Sequence, residues 1–89
     1  MLELRYSEKF IEEAGAIRLA SKRQELRKRV EMLAELPQMG SSNLPQSIIE
    51  QYGSNVKKLV ISPFVVVYEI NLESNTVDVL GLLHQRAAR

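Results

Sequence analysis

The chain contains no cysteine, which excludes both a disulfide staple and a thiolate metal site in a polypeptide of only 89 residues. Its stability has to come from packing, with or without a partner. No uninterrupted apolar stretch approaches the ~18 residues needed to span a bilayer. The opening Met1-Leu2-Glu3-Leu4-Arg5 also lacks the apolar region of a secretory signal, so the cytoplasm is the expected location and no membrane is expected as a partner. Histidine occurs once, as His84, leaving imidazole chemistry a single candidate. Charge of one sign is not in excess either. The net charge of +1 argues against an unusually strong attraction to nucleic acid, although charge can still be sorted between faces.

What is present is a globular balance, with 45% hydrophobic and 26% charged residues, far from the composition of disordered chains. A second domain would need about 50 residues of its own, so one domain spanning residues 1–89 is expected.

Leu2, Leu4 and Tyr6 alternate with Glu3 and Arg5, the period-two pattern of a short half-buried strand. Ser7 followed by Glu8, with Phe10, Ile11, Ala14 and Ile17 at helical spacing, predicts an N-capped amphipathic helix. Ser21-Lys22-Arg23-Gln24 has capping-box spacing and marks a second helix, whose Leu26, Val30 and Leu33 form an apolar stripe. Leu36-Pro37 ends it, because the residue before proline leaves the α region and the proline ring clashes with a preceding carbonyl. Residues 45–55 read as a connector in which Ile48, Ile49 and Tyr52 form at most one apolar turn before Gly53.

Three β-rich runs follow, Val56 to Ile61, Phe64 to Ile70 and Thr76 to Leu83, with connections short enough for an antiparallel meander. The middle run is apolar on nearly both faces and suits a central strand. The expected fold is α+β in the order β-α-α-β-β-β. An N-terminal helical hairpin packs on one face of a twisted, mainly antiparallel four-stranded sheet that the first strand joins.

Several segments carry a family likeness in the same order along the chain. Tyr6-Ser7-x-x-Phe10, Leu36-Pro37-x-x-Gly40, Val56 to Ile61, Ser62-Pro63-Phe64 through the recurrent Tyr68 to Ile70, and Val79 to Arg86 with its H-x-R ending resemble the toxins of the RelE/ParE superfamily. The resemblance implies a growth-inhibiting toxin of a bacterial type II toxin-antitoxin system, held inactive by a cognate antitoxin. It also implies one of two targets, because some members cleave messenger RNA on the ribosome while others inhibit DNA gyrase. No cofactor and no metal are implied.

Cleavage of RNA through its 2′-hydroxyl needs a base, cations around the phosphorane and an acid for the leaving oxygen. His84, Arg86 and Lys58 are the candidates for those roles, with His84 and Arg86 on one face if the backbone stays extended. Lys57, Arg23, Arg27 and Arg89 are candidate binding cations. Tyr68, between apolar alternation partners, reads as a packing residue. Nucleolytic relatives commonly carry an arginine just after the aromatic that opens the central strand, and this chain has Val65 there. The gyrase-directed reading therefore stands first, the ribosome-dependent messenger-RNA endonuclease second, and an inactive interaction domain third. For the antitoxin, sheet edges and a groove involving Met32 and Leu33 are the two docking routes.

Overall fold

A computed structural model describes residues 1–88, so candidate Arg89 lies outside the described residues. The elements are β1 (Glu3–Tyr6), α1 (Glu8–Gly15), α2 (Ala20–Glu31), α3 (Gln46–Tyr52), β2 (Lys57–Ile61), β3 (Phe64–Asn71) and β4 (Thr76–His84). Two single 3-10 turns, Met32–Ala34 and Pro37–Met39, follow α2. The strands form one sheet in the order β1-β4-β3-β2, antiparallel except that β1 runs parallel to β4.

Ser7 caps α1 as its type suggests, since its Oγ accepts the Phe10 N–H at 3.0 Å. The capping box at Ser21 and Gln24 does not form. Helix α2 starts one residue earlier, leaving Ser21 inside the first turn and Leu19 at the cap with extended backbone and no side-chain hydrogen bond. Arg23 orders this junction instead, its guanidinium donating to the carbonyls of Ile17 and Arg18. The far end of α2 tightens into 3-10 geometry at Met32, five residues before Pro37, which could not continue the helical ladder.

Tyr68 explains the Leu36-Pro37-x-x-Gly40 pattern. Fully buried in β3, its hydroxyl donates to the Pro37 carbonyl at 2.7 Å and accepts the Gly40 N–H at 2.9 Å. Any Cβ at position 40 would sit 2.5 Å from that hydroxyl, which accounts for glycine there. The chain then passes the outer edge of β2, where Ser41 and Lys58 exchange backbone hydrogen bonds at 2.8 and 2.9 Å. It crosses to the other side of the sheet and forms α3.

The segment read as a connector is therefore two turns of helix, ended by Gly53 in the left-handed region with φ 86°. It gives the sheet a cover on both faces. On the hairpin face, Leu59, Ile61, Val66, Tyr68, Val77 and Val79 pack with Phe10 of α1 and Leu26 and Val30 of α2. On the opposite face, Val65 and Val67 pack with Val56 and with Ile48 of α3, flanked by Leu44, Tyr52, Leu80, Leu83 and Ala88. A strand buried on both sides needs apolar residues at successive positions, which is why β3 reads Phe64-Val65-Val66-Val67-Tyr68.

Strand β4 contains a bulge. The register shifts between Val67↔Gly81 and Tyr68↔Val79, leaving Leu80 unpaired, so the apolar set facing the hairpin changes from Val77 and Val79 to Leu82. Beyond the bulge β4 also outruns β1, whose last pair is Tyr6↔Val79. Helix α1 covers the edge that β1 leaves open. The Ser7 hydroxyl donates to the Leu80 carbonyl at 2.7 Å, and the Leu82 N–H donates to the Glu13 carboxylate at 3.0 Å.

Candidate functional site

The candidate residues at the end of the sheet are distributed by the pleat. His84 is the last residue of β4 and pairs with Phe64, whose ring it meets edge-on at 6.0 Å. Phe64 packs against the hairpin-side core, so His84 lies on the hairpin face. Lys58 pairs with Val67, a member of the opposite-face core, and so projects to the other side of the sheet. Lys57 shares the hairpin face with His84 but sits in the Tyr68 row. That row lies four positions along β3 from the Phe64–His84 row, a distance on the order of 13 Å. Its Nζ donates to the Ser42 hydroxyl at 2.9 Å.

Arg86 does not continue the strand. Residues 85–87 form a turn in which the Ala87 N–H donates to the His84 carbonyl at 2.9 Å. The Arg86 N–H donates to His84 Nδ1 at 3.2 Å, which leaves both side chains exposed but on a turn rather than in strand alternation. The structure thus brings His84 and Arg86 near each other through the backbone and sends Lys58 to the opposite face from His84.

Where the family likeness expects a cation after the opening aromatic of β3, Val65 is 3% exposed. The surface around that position is apolar, made by Leu83 and Ala88 beside the α3 contacts. Replacing Val65 with a long cation would require the packing of Ile48 and Val56 to open. Tyr68 has its hydroxyl pushed above the usual phenolic range by burial, against the lowering effect of the Gly40 N–H. It stays a neutral tether for the loop that follows the helical hairpin.

On the hairpin side a groove of about 370 Å³ runs between α1 and α2. Phe10, Ile11, Ala14, Leu26 and Val30 line it, with Arg23, Arg27 and Glu31 on the rim. Tyr6 closes one end, its ring stacked on Phe10 at 5.8 Å between centroids. Leu33 is completely buried and is not part of this opening, whereas Met32 is exposed at the end of α2. Of the rim cations, Arg23 is committed to the α1–α2 loop and Arg27 is exposed to solvent. Sequence patterning overlooked Ile11 as a surface residue, since it falls beside the buried Phe10 on the same apolar run.

No helix is long and apolar enough to cross a membrane among the described residues. No group of three or more His, Asp or Glu side chains positioned for a metal ion occurs among them either.

The fold is that of RelE. The chain matches the isolated E. coli RelE toxin with a TM-score of 0.72 at 17% identity, over 94% of this chain and 84% of that one. It matches a chain of the intact E. coli RelBE toxin-antitoxin complex with a TM-score of 0.69 at 18% identity, over 92% and 94% of the two chains. A chain of the RelBE2 toxin-antitoxin complex from Mycobacterium tuberculosis gives 0.65 at 17% identity, over 93% and 96%. No curated protein sequence matches the chain. The family is given by its model: the chain belongs to the ParE toxins of type II toxin-antitoxin systems, parDE, which it matches over residues 3–89.

Proposed function

We propose that the protein inhibits bacterial growth by binding a macromolecular target, DNA gyrase ahead of the ribosome, and that a cognate antitoxin neutralises it. The observation that carries the reading is the closed apolar face at Val65. Phosphoryl transfer without a metal needs a base, an acid and cations converging within hydrogen-bond reach of one phosphate. A sheet that sends His84 to one face and Lys58 to the other, with a buried valine in the remaining cation position, supports a binding role over a nuclease role. Family membership supports the toxin assignment.

The purified chain in a gyrase supercoiling assay tests this directly. Inhibition of supercoiling is the expected result. Full supercoiling at saturating, folded protein would remove gyrase as the target. Normal growth of cells expressing soluble protein would leave the interaction-domain reading.

The α1–α2 groove is where an antitoxin segment would dock in this account. It is apolar, open and rimmed by Arg23 and Arg27, which suits an amphipathic helix with acidic flanks. Two of the similar structures are of toxin-antitoxin complexes. Co-expression of a short reading frame neighbouring the gene should restore growth, and Ile11→Glu should abolish that rescue.

A further inference from the structure

The rim of the α1–α2 groove carries charges in a definite order. Arg23, Arg27 and Glu31 follow one another at four-residue spacing on α2, so they form one row along the helix, and all three line the groove. The facing wall of α1, made by Phe10, Ile11, Ala14 and Gly15, is uncharged. The groove is thus cationic toward the α1–α2 loop and anionic toward Tyr6, over about 12 Å at 1.5 Å of rise per residue.

Neither end is neutralised within the chain. Among the described residues the ion pairs are Arg5 with Asp78 and Lys22 with Glu25, and Arg27 and Glu31 join neither. Both are exposed. Arg27 precedes Glu31 along α2, the less favourable order for a pair within one helix. Beside them Ile11 is 57% and Tyr6 41% exposed, apolar surface that water covers in the single chain.

An occupant of this groove has to present the reverse order of charge beside apolar side chains. A second copy of the chain does so. Two α2 helices laid antiparallel across a twofold axis level with residue 29 set Arg27 of each copy against Glu31 of the other, and the same axis brings the exposed Ile11 and Tyr6 of each copy to the other's groove. Farther from the axis, Arg23 falls level with Glu35 of the other copy, which is exposed just beyond the end of α2. A parallel pair would set like against like, so the charges also choose the direction. A row of both signs does not match a phosphate backbone, which carries one.

We propose that the α1–α2 groove of the free protein is covered by a second copy of the chain, in an antiparallel twofold dimer held by two reciprocal Arg27–Glu31 pairs. A second copy then competes with the antitoxin segment for one groove, and the dimer stands or falls independently of which target the toxin binds.

Sedimentation equilibrium of the full chain, of monomer mass 10.1 kDa, is the test. An interface confined to one helical hairpin lies at the small end of specific contacts, so a dissociation constant on the order of 10 µM is expected. Arg27→Glu and Glu31→Arg each turn two attractions into two repulsions, and each should raise that constant by roughly ten-fold or more. Mixed in equal amounts, the two variants face opposite charges at both pairs and should form a heterodimer within about three-fold of the wild-type affinity. Leu72→Glu, at an 80% exposed position in the turn between β3 and β4, should change it by less than about two-fold. Unfolding curves verify that each variant is folded. A wild type that stays monomeric at about 500 µM overturns the proposal and leaves the groove to the antitoxin segment. A wild-type dimer that neither charge variant weakens overturns it by placing the contact on another face. Variants that dissociate singly and fail to recombine on mixing overturn the reciprocal pairing.

Discussion

The hydroxyl of Tyr68, in the middle of the sheet, donates to the backbone carbonyl of Pro37 at 2.7 Å. With the Gly40 N–H returned to the same oxygen at 2.9 Å, one side chain fixes the loop that turns the chain from the hairpin face toward α3. Tyr68→Phe keeps the ring packing and strips both bonds, leaving a carbonyl and an N–H without a partner. The cost should be about 1–3 kcal/mol in denaturant unfolding. A variant as stable as wild type would show that the loop is held by other contacts.

Glu13 substitutes for a neighbouring strand where β1 has ended, accepting the Leu82 N–H at 3.0 Å. Glu13→Ala should destabilise by roughly 1–3 kcal/mol, and Glu13→Gln, which retains an acceptor oxygen, should recover most of that loss. Equal destabilisation by the two variants would point to a role for the charge itself rather than for the edge hydrogen bond.

At the bulge, a Cβ on Gly81 would lie 1.9 Å from the Tyr52 hydroxyl, so any larger residue there forces the Tyr52 ring that seats α3 to shift. Gly81→Ala should cost about 1–3 kcal/mol through overpacking. The penalty should fall in a Tyr52→Ala background, giving a coupling on the order of 1 kcal/mol in a double-mutant cycle. Strict additivity would mean that Tyr52 is not what the new methyl meets.

How much of this was legible beforehand depends on whether the signal was local. Ser7 with Phe10, the proline at 37 and the doubly apolar β3 each act through a few neighbouring residues, and the β2-β3-β4 meander followed from them, whereas the parallel place of β1 beside β4 did not. Helix α3 did not announce itself, because seven residues with one fully buried position, Ile48, resemble a loop with an apolar contact. The Ser21 box failed since Arg23 supplies the junction from a distance of several residues, a competitor that spacing rules ignore. The candidate site was least legible of all. Whether His84 and Lys58 share a face depends on pairing register across three strands, which a single strand's alternation does not encode.

Arg5 and Asp78, opposite each other across β1 and β4, form a two-pronged ion pair at 2.7 and 3.0 Å. The Arg5 hydrogen bond is the largest influence holding the Asp78 carboxyl below the usual range, with a further contribution from Thr76. A carboxyl depressed in the folded state stabilises above its unfolded pKa and loses that contribution as pH falls through the folded value. Wild type should therefore lose thermal stability from about pH 5 downward, and Asp78→Asn should flatten that acid limb. The exposed guanidinium makes the effect small and sensitive to salt. Identical acid limbs for the two proteins would assign the loss to other carboxylates.

The central claim is that this chain acts by binding and does not cut RNA. Primer extension on cellular messages after induced expression measures it most directly, with wild type beside the triple variant Lys58→Ala/His84→Ala/Arg86→Ala. The account expects growth arrest by the wild type with no new message ends in either sample. New 5′ ends that appear with the wild type and vanish with the folded triple variant would contradict it.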